Sequence, residues 1–162
     1  MGESREISER VSFGINEEGA SIDGFVRRYV EILRDRFHVR SVIVMGSRAT
    51  GRWKPWSDTD VLVVADDLPK KSLRWSALKD LDDELVGGLI EPRGYTSKEL
   101  IDAIERFDLT VMDAIEDGIP VYDDGFWRKA RERFEAVRRA FKLRRTDVGW
   151  EYSIPRHGSL KH

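Results

Sequence analysis

Two aspartates separated by one residue, Asp58 and Asp60, are the side chains best suited to chemistry in this chain. They open an apolar run, Val61-Leu62-Val63-Val64, that reads as a buried strand, so both carboxylates point to the same face. Two like charges that close repel each other unless a cation sits between them. Side by side at a strand edge, they suit a pair of Mg²⁺ ions about 4 Å apart, which can activate an attacking oxygen and stabilise a leaving one.

Upstream lies a second constellation, Gly46-Ser47-Arg48-Ala49-Thr50-Gly51-Arg52, which follows another apolar run. A glycine at the end of a strand lets the backbone turn tightly and lets a phosphate approach closely. If Ser47 opens a short helix, its hydroxyl and free backbone N–H groups can hold a phosphate oxygen. Arg48 and Arg52 can add charge-assisted contacts to a triphosphate. Taken singly, Gly-Ser reads equally as a turn and Asp-x-Asp as a solvated strand start or helix cap. The chemical reading rests on their combination, with ten residues between Ser47 and Asp58 and an apolar strand on each side.

The elements that must position these residues are legible from periodicity. Ile22, Phe25, Val26, Tyr29, Val30, Leu33 and Phe37 mark one face of an amphipathic helix. Residues 41–45 and 58–65 read as buried strands. A helix over 71–86 is expected to turn Trp75, Leu78, Leu81 and Leu85 inward, with Gly87 and Gly88 at its end. A third strand covers 89–95. Thr96 and Glu99 make a capping-box pair for the next helix, 109–116 forms a further short helix, and 118–122 adds an edge strand. A last helix, 124–145, buries Trp127, Ala130, Phe134, Val137 and Phe141 and exposes a basic face. The sum is an α+β domain, a small mixed sheet flanked by helices. Residues 1–19 read as a flexible arm, 20–145 as the single domain and 146–162 as a loose tail.

Composition bounds the rest. The chain has 162 residues, 40% hydrophobic and 36% charged, enough for one packed core. With no cysteine, disulfides, thiolate nucleophiles and cysteine zinc sites are excluded. The three histidines, His38, His157 and His162, are scattered, so a metal here is expected to be hard and oxygen-ligated. No apolar run approaches the roughly 20 residues of a membrane span. No apolar leader opens the chain, and a soluble cytoplasmic protein is the expectation. Trp53 and Trp56 flank Lys54-Pro55 before the aspartates and could stack on a base or pack on the domain or a partner. The basic last helix could attract RNA or an acidic partner, or could simply be a solvated face.

Gly46-Ser47 followed by Ser57-Asp58-Thr59-Asp60 resembles the signature of the DNA polymerase β-like nucleotidyltransferases, in the form found in their minimal members. The likeness covers roughly residues 22–122. It implies the polymerase β-like fold and a serine that helps bind the triphosphate. It also implies Mg²⁺ (or Mn²⁺) on the two aspartates, and transfer of a nucleotidyl group, AMP being the expected one, from a nucleoside triphosphate to an acceptor hydroxyl. The family's third carboxylate comes from a later strand, where Glu91 is the only acid of 89–95, although aspartate is commoner there and Pro92 follows directly. Some minimal members are antitoxins paired with a helical HEPN partner. The competing expectation is therefore a non-catalytic binding module or antitoxin that retains nucleotide binding.

Overall fold

The computed structural model describes residues 12–154. Helix α1 (Ile22–Arg36) is followed by strand β1 (Val39–Met45), a four-residue helix α2 (Ser47–Thr50) and strand β2 (Thr59–Ala65). Helix α3 (Lys71–Leu85) then leads to strand β3 (Ile90–Tyr95), and helices α4 (Ser97–Glu105) and α5 (Leu109–Asp117) lead to strand β4 (Ile119–Asp123). Helix α6 (Phe126–Phe141) precedes a hairpin of β5 (Arg144–Thr146) and β6 (Gly149–Glu151). The mixed α+β architecture matches the sequence reading.

The main sheet has the order β3-β2-β1-β4. β1 runs antiparallel to β2 and β4, while β2 and β3 are parallel, joined through α3. Strand alternation divides the apolar residues between two cores. Ile43, Met45, Leu62 and Val64 face α4, α5 and α6, whereas Val42, Val44, Val61 and Val63 face α1 and α3. The strands β1 and β2 are buried on both faces, which explains why they read as continuous β-branched runs rather than alternating ones.

Helix α3 corrects the expected inner face. Leu78 and Leu81 are buried, but Trp75 and Leu85 are 52% and 41% exposed, and Arg74 and Asp82 are buried in their place. The reason lies on the outer edge of β3. Asp82 Oδ2 accepts from the Ile90 N–H at 3.0 Å, Lys79 Nζ donates to the Ile90 carbonyl at 2.8 Å, and Arg74 donates to the Gly94 carbonyl at 3.2 Å. Pro92 shares the outward parity of Ile90 and Gly94, so its missing N–H falls where no strand would receive it. The edge is thus closed by side chains of α3, as natural edge strands require.

The ends of the described chain are packed, not loose. Phe13 is fully buried in the core beneath α1, and the Ile22 N–H donates to the Gly14 carbonyl at 2.9 Å. The tail forms the β5–β6 hairpin, with Trp150 against Phe134. The rest of the expected arm and tail, 1–11 and 155–162, lies outside the described residues. Among the described residues no helix is long and apolar enough to cross a membrane.

Candidate active site

β1 and β2 bring the two motifs together. Met45, the last residue of β1, is the register partner of Asp60, so Gly46 follows directly beside that carboxylate. Gly46 has φ 71° and ψ −155°, a combination essentially confined to glycine. A β-carbon there would stand 2.6 Å from Asp60 Oδ2. The glycine is thus required twice, by the turn into α2 and by the approach of Asp60.

β3 delivers the third acid. The parallel register pairs Asp60 with Glu91, so their side chains leave neighbouring strands on the same face. Asp58 is exposed, while Asp60 and Glu91 are half-buried. Burial does most to raise the pKa of the Asp60 carboxyl above its ordinary value; Arg93 opposes the rise, and the negative charges of Asp58 and Glu91 add to it. Arg93 sits two residues beyond Glu91, a period-2 spacing that the sequence displays but that carried no role in the expected site. Glu91 is not idle: its Oε2 accepts from Trp75 Nε1 at 2.8 Å. Trp75 was expected in the core, and its place beside the site had no sequence signal.

This donor set can be tested against a divalent cation. Among the described residues no three His, Cys, Asp or Glu side chains converge as a ready metal cluster. With Glu91 turned to Trp75, Asp58 and Asp60, near enough for the charge of one to raise the pKa of the other, are the remaining oxygen donors. Mg²⁺ is commonly held by one or two carboxylates plus substrate phosphates rather than by an all-protein cage. Two carboxylates have the donor chemistry that such an ion takes.

Arg48 departs from expectation. It is 1% exposed and turns away from the cleft. Its Nη1 donates to the carbonyls of Phe13 and Ile15 at 3.1 and 2.9 Å, and its Nη2 to those of Ser57 and Pro55 at 3.0 and 3.4 Å. The guanidinium also lies 5.1 Å from the Trp53 ring centroid. That ring packs against Gly14, where any β-carbon would fall 2.2 Å from it. Arg48 therefore ties the N-terminal segment to the loop that delivers Asp58, and it is not available to a phosphate. Trp53 packs on its own domain, while Trp56 is 67% exposed. Arg52 is exposed and lines a cleft with Gly46 and Ser47.

The basic face of α6 is partly neutralised by its neighbours. Arg133 pairs with Glu105 at 2.6 Å, and Arg138 pairs with Glu116 and Glu135. The remaining exposed cations, among them Arg128, Lys129, Arg131 and Arg139, are spread along the helix.

Comparison with known proteins adds three findings. A family model described as "Nucleotidyltransferase domain" matches residues 26–141. A protein of Methanocaldococcus jannaschii, provisionally named a protein adenylyltransferase, is 32% identical over 123 residues, covering 70% of this chain and 80% of that protein. Among solved structures, a toxin–antitoxin complex with AMP-PNP aligns at 16% identity and a TM-score of 0.48, covering 70% of this chain and 89% of its own. A tri-AMPylated HEPN toxin of Shewanella oneidensis in complex with an MNT antitoxin aligns at 17% identity and 0.42, covering 71% and 87%.

Proposed function

The chain belongs to the nucleotidyltransferase domain family, and on that footing we propose that it moves AMP from ATP to a hydroxyl group on a protein, releasing pyrophosphate. The observation that carries this reading is the register of Asp60 between Met45–Gly46 on one strand and Glu91 on the other. That register supports the reading by bringing Gly46, Asp60 and Glu91 to neighbouring strands of one sheet.

Gly46 and Ser47 seat the triphosphate, and Arg52 neutralises part of its charge. Asp58 and Asp60 would hold Mg²⁺ (or Mn²⁺) in one or two ions, with Glu91 as the third ligand, and the metal would supply charge neutralisation at the phosphates. The acceptor oxygen forms its bond to the α-phosphorus while the bond from that phosphorus to the bridging oxygen of the β-phosphate breaks. The acceptor proton passes to Glu91, and pyrophosphate departs. The protein's share of the rate is positioning and electrostatic, as in other phosphoryl transfers.

The protein acceptor is supported by the name of the 32% identical relative, and a HEPN-type partner by the minimal-nucleotidyltransferase form of the Gly-Ser and Asp-x-Asp motifs. A reaction that draws on ATP suits a cytoplasmic site of action. RNA is the weaker candidate, since Arg133 and Arg138 of α6 are already paired with acids of α4, α5 and α6.

The test is label transfer from α-labelled ATP with Mg²⁺, using the protein co-purified with whatever partner it retains, against the Asp60→Ala variant. Undiminished transfer by that variant would sink the assignment.

A further inference from the structure

The cleft beside Gly46 and Ser47 has a second wall that lies partly outside the family match. That match ends at residue 141, whereas the β5–β6 hairpin spans Arg144–Thr146 and Gly149–Glu151. The cleft measures about 680 Å³, within the roughly 300–1,000 Å³ of small-molecule sites. One side is Gly46, Ser47 and Arg52. The other is Asp113 and Asp117 of α5 with Arg145, Thr146 and the hairpin turn Asp147-Val148-Gly149.

The hairpin is anchored through its strands. Arg145 Nη2 lies 3.2 Å from Asp113 and 3.1 Å from Asp117. Trp150 Nε1 donates to Asp113 at 3.0 Å, and its ring meets Phe134 edge-on at 5.8 Å. The Ser153 N–H donates to the Phe141 carbonyl at 2.7 Å. The turn itself contributes Val148 to the cleft with 97% of its surface exposed, an apolar side chain that nothing among the described residues covers.

The two walls differ in chemistry. Hydroxyls and the Arg52 guanidinium on the first suit a polyphosphate. On the second, Asp113 and Asp117 are ion-paired with Arg145, which also lines the cleft, and their oxygens outside those pairs can accept hydrogen bonds from ribose hydroxyls and from amino groups of a base. Val148 offers an apolar contact for a base face. We propose that the nucleoside half of the nucleotide lies against the hairpin turn, with its phosphates directed to Gly46 and Ser47, so that β5–β6 is the wall that selects the nucleotide. This rests on the nucleotidyltransferase reading and adds to it an element that the family match does not contain.

Calorimetry on the full chain with Mg²⁺ separates the two halves of the ligand, using ATP and inorganic tripolyphosphate as probes. The double variant Asp147→Gly/Val148→Gly is expected to lose about fivefold or more in ATP affinity while tripolyphosphate binding stays within about twofold. Unchanged ATP affinity, or an equal loss for both probes at an unchanged melting temperature, overturns the proposal. Should the double variant melt early, Val148→Asp alone takes its place, with the same two readings. Wild-type protein that binds both probes equally tightly defeats the hairpin's role and leaves the phosphate site standing. Wild-type protein that binds neither removes the nucleotidyltransferase reading, and this inference with it.

Discussion

The indole N–H of Trp75 donates to Glu91 Oε2 at 2.8 Å, so the third acid of the site already has a partner. Because Glu91 is also the register neighbour of Asp60, the indole competes with any cation shared by the two carboxylates. A hydrogen bond of this kind contributes about 1 kcal/mol net, so Trp75→Phe is expected to tighten Mn²⁺ binding about fivefold in the presence of ATP. Titration followed by the Mn²⁺ paramagnetic resonance signal measures it. Unaltered affinity would mean that Glu91 is not a ligand.

Gly46 gives a sharper case, because two effects act on one substitution. Gly46→Ala places a residue with a β-carbon at φ 71°, and that carbon meets Asp60 Oδ2 at 2.6 Å. The backbone alone should cost ~1–3 kcal/mol in urea unfolding. Displacing the carboxylate by a fraction of an ångström should lower label transfer by about tenfold to a hundredfold. Combining Gly46→Ala with Asp60→Ala should recover the part of the stability lost to the clash and none of the part lost to the backbone. Strict additivity of the two changes would show that the contact does not matter.

These two pairs also show what the sequence could and could not display. The places of Asp58, Asp60, Gly46 and Ser47 in the fold were legible because each lies at or beside the end of a continuous β-branched run. Glu91 was legible once β3 was read as a strand. Arg48 looked like a phosphate ligand because its neighbours are motif residues; its direction depends on Phe13 and Ser57, which are distant or irregular in sequence. The hairpin strands Arg144–Thr146 and Gly149–Glu151 are three residues each, too short to carry a period. Helix α3 misled because spacing counts apolar residues, whereas Arg74 and Asp82 are buried to serve the edge of β3.

Arg48 is expected to act through structure. Its guanidinium satisfies carbonyls on two segments at once, and Arg48→Ala would leave buried acceptors unpaired beside a new cavity, at about 3 kcal/mol. Arg48→Lys keeps the charge but lacks the planar fork and reaches one segment only, so about half of the loss is expected. Urea unfolding with an unchanged m-value checks both. A lysine variant as stable as wild type would mean that one segment does not need the tie.

The raised pKa of Asp60 gives a stability prediction whose sign can be worked out. Burial, then the charges of Asp58 and Glu91, hold the folded-state pKa above the unfolded one, against the pull of Arg93. Between those two values the folded state binds more protons than the unfolded state, so stability falls as pH rises through the folded pKa. The cost is present in full above that value and absent below the ordinary aspartate range near ~4. Asp60→Asn should therefore raise the melting temperature at neutral pH in chelator, with the gain shrinking as pH falls towards that range. Mg²⁺ with ATP should reverse the order. A ligand at a hundredfold excess over its Kd stabilises by about 2.7 kcal/mol, and the asparagine variant should receive less than wild type. An equal gain in both proteins would take Asp60 out of the metal site. A variant no more stable than wild type in chelator would show that its carboxylate sits there without strain.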